Sequence, residues 1–135
     1  MINRMVTGIS TAILGALIAC VPNFIWPIGE HCREMMMGCV SAAKTEYGIG
    51  VLIVFLAILL GFAESREIRT GISIGLGFIG ILAALVATVL VGFCDGSCAQ
   101  CACNPMAAPV MAALGIAVAL ISFINAIYLS RMKRK

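Results

Sequence analysis

Four long apolar stretches constrain the fold of this 135-residue chain more than any other feature. A helix needs about 20 mostly apolar residues to cross a hydrocarbon core of roughly 30 Å. Such stretches run from Met5 to Ile25, Tyr47 to Ala63, Thr70 to Phe93 and Ala107 to Leu129. Only 11% of the residues are charged, whereas soluble domains have about a quarter. The sequence therefore predicts an all-α polytopic membrane protein, a single domain 1–135 that forms a bundle of four transmembrane helices.

Basic residues near the ends of these spans predict the orientation of the bundle. Most of them fall on one side, namely Arg4, Arg66, Arg69, Arg131, Lys133, Arg134 and Lys135, and only Arg33 and Lys44 fall on the other. Lys and Arg near span ends are retained in the cytoplasm. We therefore expect both termini to lie in the cytoplasm and two loops, 26–46 and 94–106, to lie on the outer side. Nothing in the sequence indicates a nucleic-acid partner.

The outer loops contain six of the seven cysteines: Cys32, Cys39, Cys94, Cys98, Cys101 and Cys103. The extracytoplasmic compartment is oxidising, which favours disulfides over free thiols. Six cysteines permit 15 pairings, and the sequence does not choose among them. Bridges that close short loops contribute about 2 to 4 kcal/mol each, so we expect them to fix the shape of these loops.

Short matches between the two halves suggest two repeated helical hairpins. The sequence Thr-Gly-Ile-Ser opens the first span at Thr7 and the third span at Thr70. A Gly-Ile step recurs at Gly48 and Gly115, in the spans that close each hairpin. Such hairpins would be related by an axis along the membrane normal. Short matches also arise by chance in apolar sequence, so duplication and coincidence both stay open.

Small residues four positions apart predict where the helices pack, because helices in lipid associate through close approach. The rows are Gly8, Ala12, Ala16 and Cys20 in the first span, Gly71 and Gly75, Ser73 and Gly77, and Gly80 and Ala84 in the third, and Gly115 and Ala119 in the fourth. The favoured role of these rows is packing between helices of the same chain. The alternative is that a partner protein docks on them. The second span is bulky from Val51 to Leu60 except at Ala57, so we expect it to be the most lipid-exposed.

Polar groups inside the spans are few. Thr88, Ser122 and Asn125 are the best candidates for transport chemistry, and hydrogen bonding between helices is the favoured role for them. Glu46 lies at the outer end of the second span, where we expect it to stay within reach of water. Its negative charge near the N-terminus of that helix would stabilise the helix. A self-sufficient ion pump is therefore not predicted.

The first outer loop gathers side chains that could bind a soft metal: His31, Cys32, Met35, Met36, Met37 and Cys39. Thiolates and thioethers suit Cu(I). A disulfide between the two cysteines would remove the strongest ligands, and three consecutive methionines cannot all point at one centre. Copper handling is therefore an alternative to a disulfide-closed loop, and we predict no cofactor.

A CxxC motif, Cys98 to Cys101, lies shortly before the fourth span. Such motifs lower a thiol pKa and favour disulfide exchange. The plan resembles the vitamin K epoxide reductase family, which implies that Cys32 and Cys39 shuttle electrons to Cys98 and Cys101, with a quinone as the redox partner. The chain departs from that family by two further cysteines beside the motif and by a long, proline-bearing loop. A membrane thiol oxidoreductase is the enzymatic alternative.

Leu17 to Cys20 fits the lipobox of bacterial lipoproteins. Cleavage before Cys20 and its lipidation would explain the odd cysteine. The basic segment ahead of it is thin, since it contains only Arg4. A buried free thiol near the outer end of the first helix is therefore the favoured interpretation of Cys20.

The chain also resembles a family of small bacterial membrane proteins catalogued as domain of unknown function 4418. The matching elements are Arg4 with Gly8, Met37-Gly38-Cys39 followed by Ala42, Ala43, Glu46 and Gly48-Ile49-Gly50, the Val91 to Cys94 exit from the third span, and Pro109. The extra Cys98 and Cys103 and the Met35 to Met37 run depart from the family. The resemblance implies a noncatalytic accessory subunit of a larger complex in the bacterial cytoplasmic membrane, such as an ABC transporter. Association of the chain into a homo-oligomer also stays open.

Overall fold

The computed structural model describes residues 2–21, 24, 38–90 and 107–132. They form four α-helices: α1 (Ile2–Cys20), α2 (Gly38–Phe62), α3 (Arg66–Leu85) and α4 (Ala107–Met132). A π-helical segment, Val86–Leu90, continues α3. These ranges contain no β-strand. The predicted all-α class with four helices is confirmed.

Three stretches are long and apolar enough to cross a membrane: Lys44–Phe62, Arg66–Thr88 and Pro109–Arg131. The apolar part of α1, Met5–Cys20, is shorter. The helices themselves extend beyond the predicted spans, since α2 begins at Gly38 and α3 at Arg66. Hydropathy detects only the segment that lipid covers. Local hydrogen bonds set the helix end, as at Ser65, whose hydroxyl caps α3 by accepting from the Ile68 amide at 3.4 Å.

The helices pack as two pairs, α1 with α2 and α3 with α4, and the pairs meet through α1 with α4 and α2 with α3. This arrangement agrees with two helical hairpins. The largest fully buried apolar side chains come from all four helices: Ile18, Ile53, Leu60, Leu76, Met111 and Val118. The core therefore runs through the middle of the bundle.

Large apolar side chains cover the outside of the bundle, as expected for a surface in contact with lipid tails. Ile13, Phe55, Phe78 and Ile124 are more than half exposed. The share of the apolar span that is buried inside the bundle is 28% for α2, compared with 39% for α3 and 39% for α4. Among these three spans, the prediction that the second is the most lipid-exposed is confirmed.

Arg66, Arg69 and Arg131 lie at one end of the bundle, which we call the basic end. There the start of α3 and the finish of α4 line a common cavity. The α2–α3 turn at Ser65 is at this end, and Gly8 near the start of α1 faces Ala57 and Gly61 near the finish of α2. Lys44 and the Val86–Leu90 segment lie toward the other end, which we call the loop end.

Candidate functional sites

Most of the predicted site residues lie outside the described residues. They are His31, Cys32, Met35, Met36, Met37, Cys94, Cys98, Cys101 and Cys103, together with the side chain of Cys39. The disulfides, the CxxC chemistry and the copper site therefore stay predictions. In the part of the chain that the structure describes, no group of three or more His, Cys, Asp or Glu side chains could hold a metal ion.

Cys20 is a free, exposed thiol at the C-terminal end of α1. The prediction that it is buried is wrong, and the predicted packing row explains why. A helix has 3.6 residues per turn, so a row of every fourth residue drifts by about 40° at each step. Gly8 is buried, but Ala16 and Cys20 have turned away from α2 and are exposed.

The contact between α1 and α2 is formed by Gly15, Ala19 and Gly50. A β-carbon built on Gly50 would lie 2.6 Å from the Ala19 nitrogen and 2.8 Å from the Gly15 carbonyl oxygen. Distances under 3.0 Å essentially never occur for real β-carbons. The two backbones therefore touch, and this contact requires glycine at position 50. The sequence prediction missed this face of α1, because it followed the regular row of small residues that begins at Gly8.

The contact between α3 and α4 is formed in the same way by Gly80, Ala84, Gly115 and Ala119. A β-carbon on Gly80 would lie 2.7 Å from the Gly115 carbonyl oxygen and 2.8 Å from the Ala119 nitrogen. A β-carbon on Gly115 would meet the Gly80 carbonyl oxygen and the Ala84 nitrogen at the same distances. The predicted packing rows Gly80 with Ala84 and Gly115 with Ala119 are confirmed.

The two contacts share one register along the chain. Gly80 follows Gly15 by the same number of residues as Gly115 follows Gly50 and Ala84 follows Ala19. The Gly-Ile step at Gly48 falls outside this register, because Gly48 lies two residues before Gly50 and a β-carbon on it would meet nothing within 4 Å. The Ser-Arg steps that begin at Ser65 and Ser130 are separated by that same number of residues, so close helix contact and this short sequence match relate the hairpins in one register.

A buried hydrogen bond joins a side chain of α3 to a side chain of α4. Asn125 donates from Nδ2 to the Ser73 hydroxyl at 2.8 Å, and both residues are buried. The predicted interhelical role of Asn125 is confirmed. Thr88 instead donates to the Ala84 carbonyl oxygen at 2.8 Å, within its own helical segment, so its predicted interhelical bond is wrong.

Two polar atoms near this bond are buried without a hydrogen-bond partner among the described residues: the Ser122 hydroxyl and the Asn125 Oδ1. A cavity of about 350 Å³ opens beside them between α1 and α4, lined by Thr7, Ile121, Ile124, Asn125 and Tyr128. Its polar groups are hydroxyls and an amide. These groups can bind a polar group through hydrogen bonds, and none of the described lining side chains is charged.

A larger cavity of about 510 Å³ lies at the basic end between α3 and α4. Its lining is mixed in polarity: Arg66, Glu67, Thr70, Gly71, Leu129 and Ser130. Arg66 is exposed, and the Thr70 and Ser130 hydroxyls donate to carbonyl oxygens of their own helices. This combination of apolar wall and charged rim is typical of the level where a membrane meets water.

Glu46 is the one acidic side chain buried in the described part of the bundle, with 1% of its surface exposed. Neither carboxylate oxygen has a hydrogen-bond partner there. The expectation that Glu46 stays within reach of water is wrong. Because α2 begins at Gly38, Glu46 lies inside the helix rather than at its start, where water would reach it.

No curated protein and no solved structure matches the chain at a significant level. A protein-family comparison matches residues 11–128 to the family described as Domain of unknown function (DUF4418). That match covers the second half of α1 and all of α2 and α3, and it ends near the finish of α4. The chain therefore belongs to the DUF4418 family, and its long apolar helices are those of a membrane protein.

Proposed function

We propose that this protein is a noncatalytic accessory subunit of a larger membrane complex, such as an ABC transporter, and that a partner helix docks on α3. The proposal depends chiefly on one observation. Gly71 and Gly75 lie one turn apart on α3, and a β-carbon on either would meet nothing within 4 Å. This pair is the docking face.

The docking face contrasts with the opposite side of the same helix. Ser73, Gly77 and Gly80 are buried against the rest of the bundle, whereas Gly71 is exposed and Gly75 half-buried. Helices in lipid associate where small residues let two backbones approach. α3 thus has two faces suited to close approach, and α4 occupies only one of them.

The cavity at the basic end supports the same proposal. It includes Gly71 and so continues the docking face to the membrane surface, where Arg66 and Glu67 form its rim. A partner helix on Gly71 and Gly75 would place its terminal turn beside these charges. Opposite charges on the partner would then fix its register.

We further propose that the basic end faces the cytoplasm of a bacterial cell and that disulfides staple the outer loops. The clustering of Arg66, Arg69 and Arg131 at one end supports this orientation. A membrane-impermeant maleimide should label Cys20 in intact spheroplasts, because this thiol is exposed at the loop end. A Ser130→Cys variant should be labelled at that position only after permeabilisation. The reverse pattern, read peptide by peptide by mass spectrometry, would contradict the orientation.

The docking face is tested by replacing one glycine on it and one elsewhere. Gly75→Leu fills the docking face, and Gly48→Leu is the matched control on α2, where a β-carbon also meets nothing within 4 Å. In membranes of the native host, solubilised gently and resolved on native gels, the wild type and Gly48→Leu should migrate as one complex larger than the bundle. Gly75→Leu should lose that complex. Retention of the complex by Gly75→Leu, or a wild type that migrates alone, would refute the proposal.

A further inference from the structure

Glu46 combines three properties that packing alone does not explain. It is ionisable, it is 1% exposed, and both carboxylate oxygens are without a hydrogen-bond partner in the described ranges. It lies one helical turn before Gly50, where α1 and α2 touch. An unpaired charge in apolar surroundings is costly, so acidic residues inside membrane helices usually mark proton or ion sites.

The register of the two hairpins shows what the fold needs at this position. Met111 follows Glu46 by the same number of residues as Gly115 follows Gly50. Met111 is 2% exposed and belongs to the apolar core. The second hairpin thus fills the equivalent place with an apolar side chain. A carboxyl group at position 46 is therefore not a requirement of helix packing.

We propose that Glu46 is a proton-binding site that exchanges with the compartment at the loop end. In the binding step, hydronium gives its proton to the carboxylate, which becomes a neutral carboxyl group and leaves water behind. Release is the reverse step. The neutral form suits the buried position, and the charged form requires water to enter from the loop end.

A proton fits this site better than a metal cation. Hard cations gather several oxygen ligands around them. No hydroxyl or amide in the described helices donates to Glu46, and Glu46 belongs to no described group of three or more His, Cys, Asp or Glu side chains. A proton needs only one carboxylate oxygen.

Among the side chains that the structure describes, few other titratable groups lie near this position. α2 packs against α1, α3 and the Val86–Leu90 segment. The described side chains of these elements include one titratable group at the loop end, the exposed Cys20, because the charged residues of α3 are all in its first turn at the basic end. On α2 itself, the exposed Lys44 lies two positions before Glu46 and the exposed Tyr47 lies one position after it. Residues one or two positions apart do not lie on the same face of a helix.

This inference is independent of the docking face, and its test needs no partner. Dicyclohexylcarbodiimide reacts with protonated carboxyl groups in apolar surroundings. In detergent-solubilised full-length protein, mass spectrometry should find the adduct on the peptide that contains Glu46, and the yield should fall as the pH rises. Glu46→Gln should remove that adduct. Glu64→Gln, at an exposed carboxylate, should leave it unchanged.

Two further measurements decide cases in which the reagent fails to reach the site. The infrared difference spectrum between low and high pH should contain a protonated-carboxyl band that Glu46→Gln removes. Glu46→Met should fold and should resist denaturation at least as well as the wild type, since Met111 fills the equivalent place. Absence of the band, protection of Glu46 by sodium, or failure of Glu46→Met to fold would each overturn the proposal.

Discussion

Gly80 and Gly115 face each other so closely that a β-carbon on either would lie 2.7 Å from the carbonyl oxygen of the other. The neighbouring atoms are backbone, so they cannot rotate away as a side chain would. Lipid tails are as apolar as the helix surfaces, and association in the membrane depends on such close packing. This pair of glycines therefore sets the distance between α3 and α4.

Replacement of Gly80 by alanine should destabilise the bundle. Forcing a methyl group into a packed contact typically costs about 1 to 3 kcal/mol, and here it would push α3 and α4 apart. Gly75→Ala is the control on the same helix, because its added methyl group meets nothing within 4 Å. Unfolding by SDS, followed by circular dichroism in detergent micelles, should show the loss for Gly80→Ala alone. Equal midpoints for the two variants would contradict this packing.

The first hairpin should respond in the same way at Gly50. The β-carbon of Gly50→Ala would lie 2.6 Å from the Ala19 nitrogen, so α1 and α2 must separate and the free energy of unfolding should fall. Gly48→Ala adds its methyl group in open space and gains helix propensity of about 1 kcal/mol. The same denaturation assay checks both variants. If Gly48→Ala proved the more damaging change, the register that relates the hairpins would be wrong.

The hydrogen bond between Asn125 and Ser73 should contribute modestly to stability. Ser73→Ala removes the acceptor of the Asn125 Nδ2 group, and interhelical bonds of this type average about 0.6 kcal/mol. Ser122→Ala is a matched control, since Ser122 is equally buried and its hydroxyl has no described partner. We expect a measurable loss for Ser73→Ala and none for Ser122→Ala. Equal losses in a denaturant titration would show that the bond is not formed in the membrane protein.

The outer cysteines should form structural bridges. Alkylation before and after equilibration in a glutathione buffer, read by mass spectrometry, should show bridges among Cys32, Cys39, Cys94 and Cys101 that resist reduction. A Cys98 to Cys101 bond that exchanges readily and forms mixed pairs with Cys32 or Cys39 would instead favour the thiol oxidoreductase. In that case Cys98→Ser should abolish exchange.

Much of the fold could be predicted from the sequence, because apolar length is a one-dimensional property. Four helices follow from it directly. The packing face of α1 could not be predicted in this way. Two rows of small residues compete there, and only the three-dimensional contact of Gly15 and Ala19 with Gly50 decides between them.

Glu46 illustrates a second limit of the sequence. Its exposure depends on where α2 begins, and hydropathy marks only the lipid-covered segment of a helix. Because α2 begins as early as Gly38, the carboxyl group of Glu46 lies between packed helices and not at the end of the bundle, where water would reach it. The only feature of the sequence that pointed to Glu46 was the position of a carboxylate close to the predicted end of a span.

The most direct test of the accessory role is a photocrosslink from the docking face. A diazirine amino acid placed at Gly75 in cells of the native host should give one discrete protein adduct, identified by mass spectrometry as a different membrane protein. The same amino acid at Phe55, a lipid-facing position on α2, should give lipid adducts only. Lipid adducts at both positions, or an adduct at Gly75 with a second copy of this chain, would contradict the account.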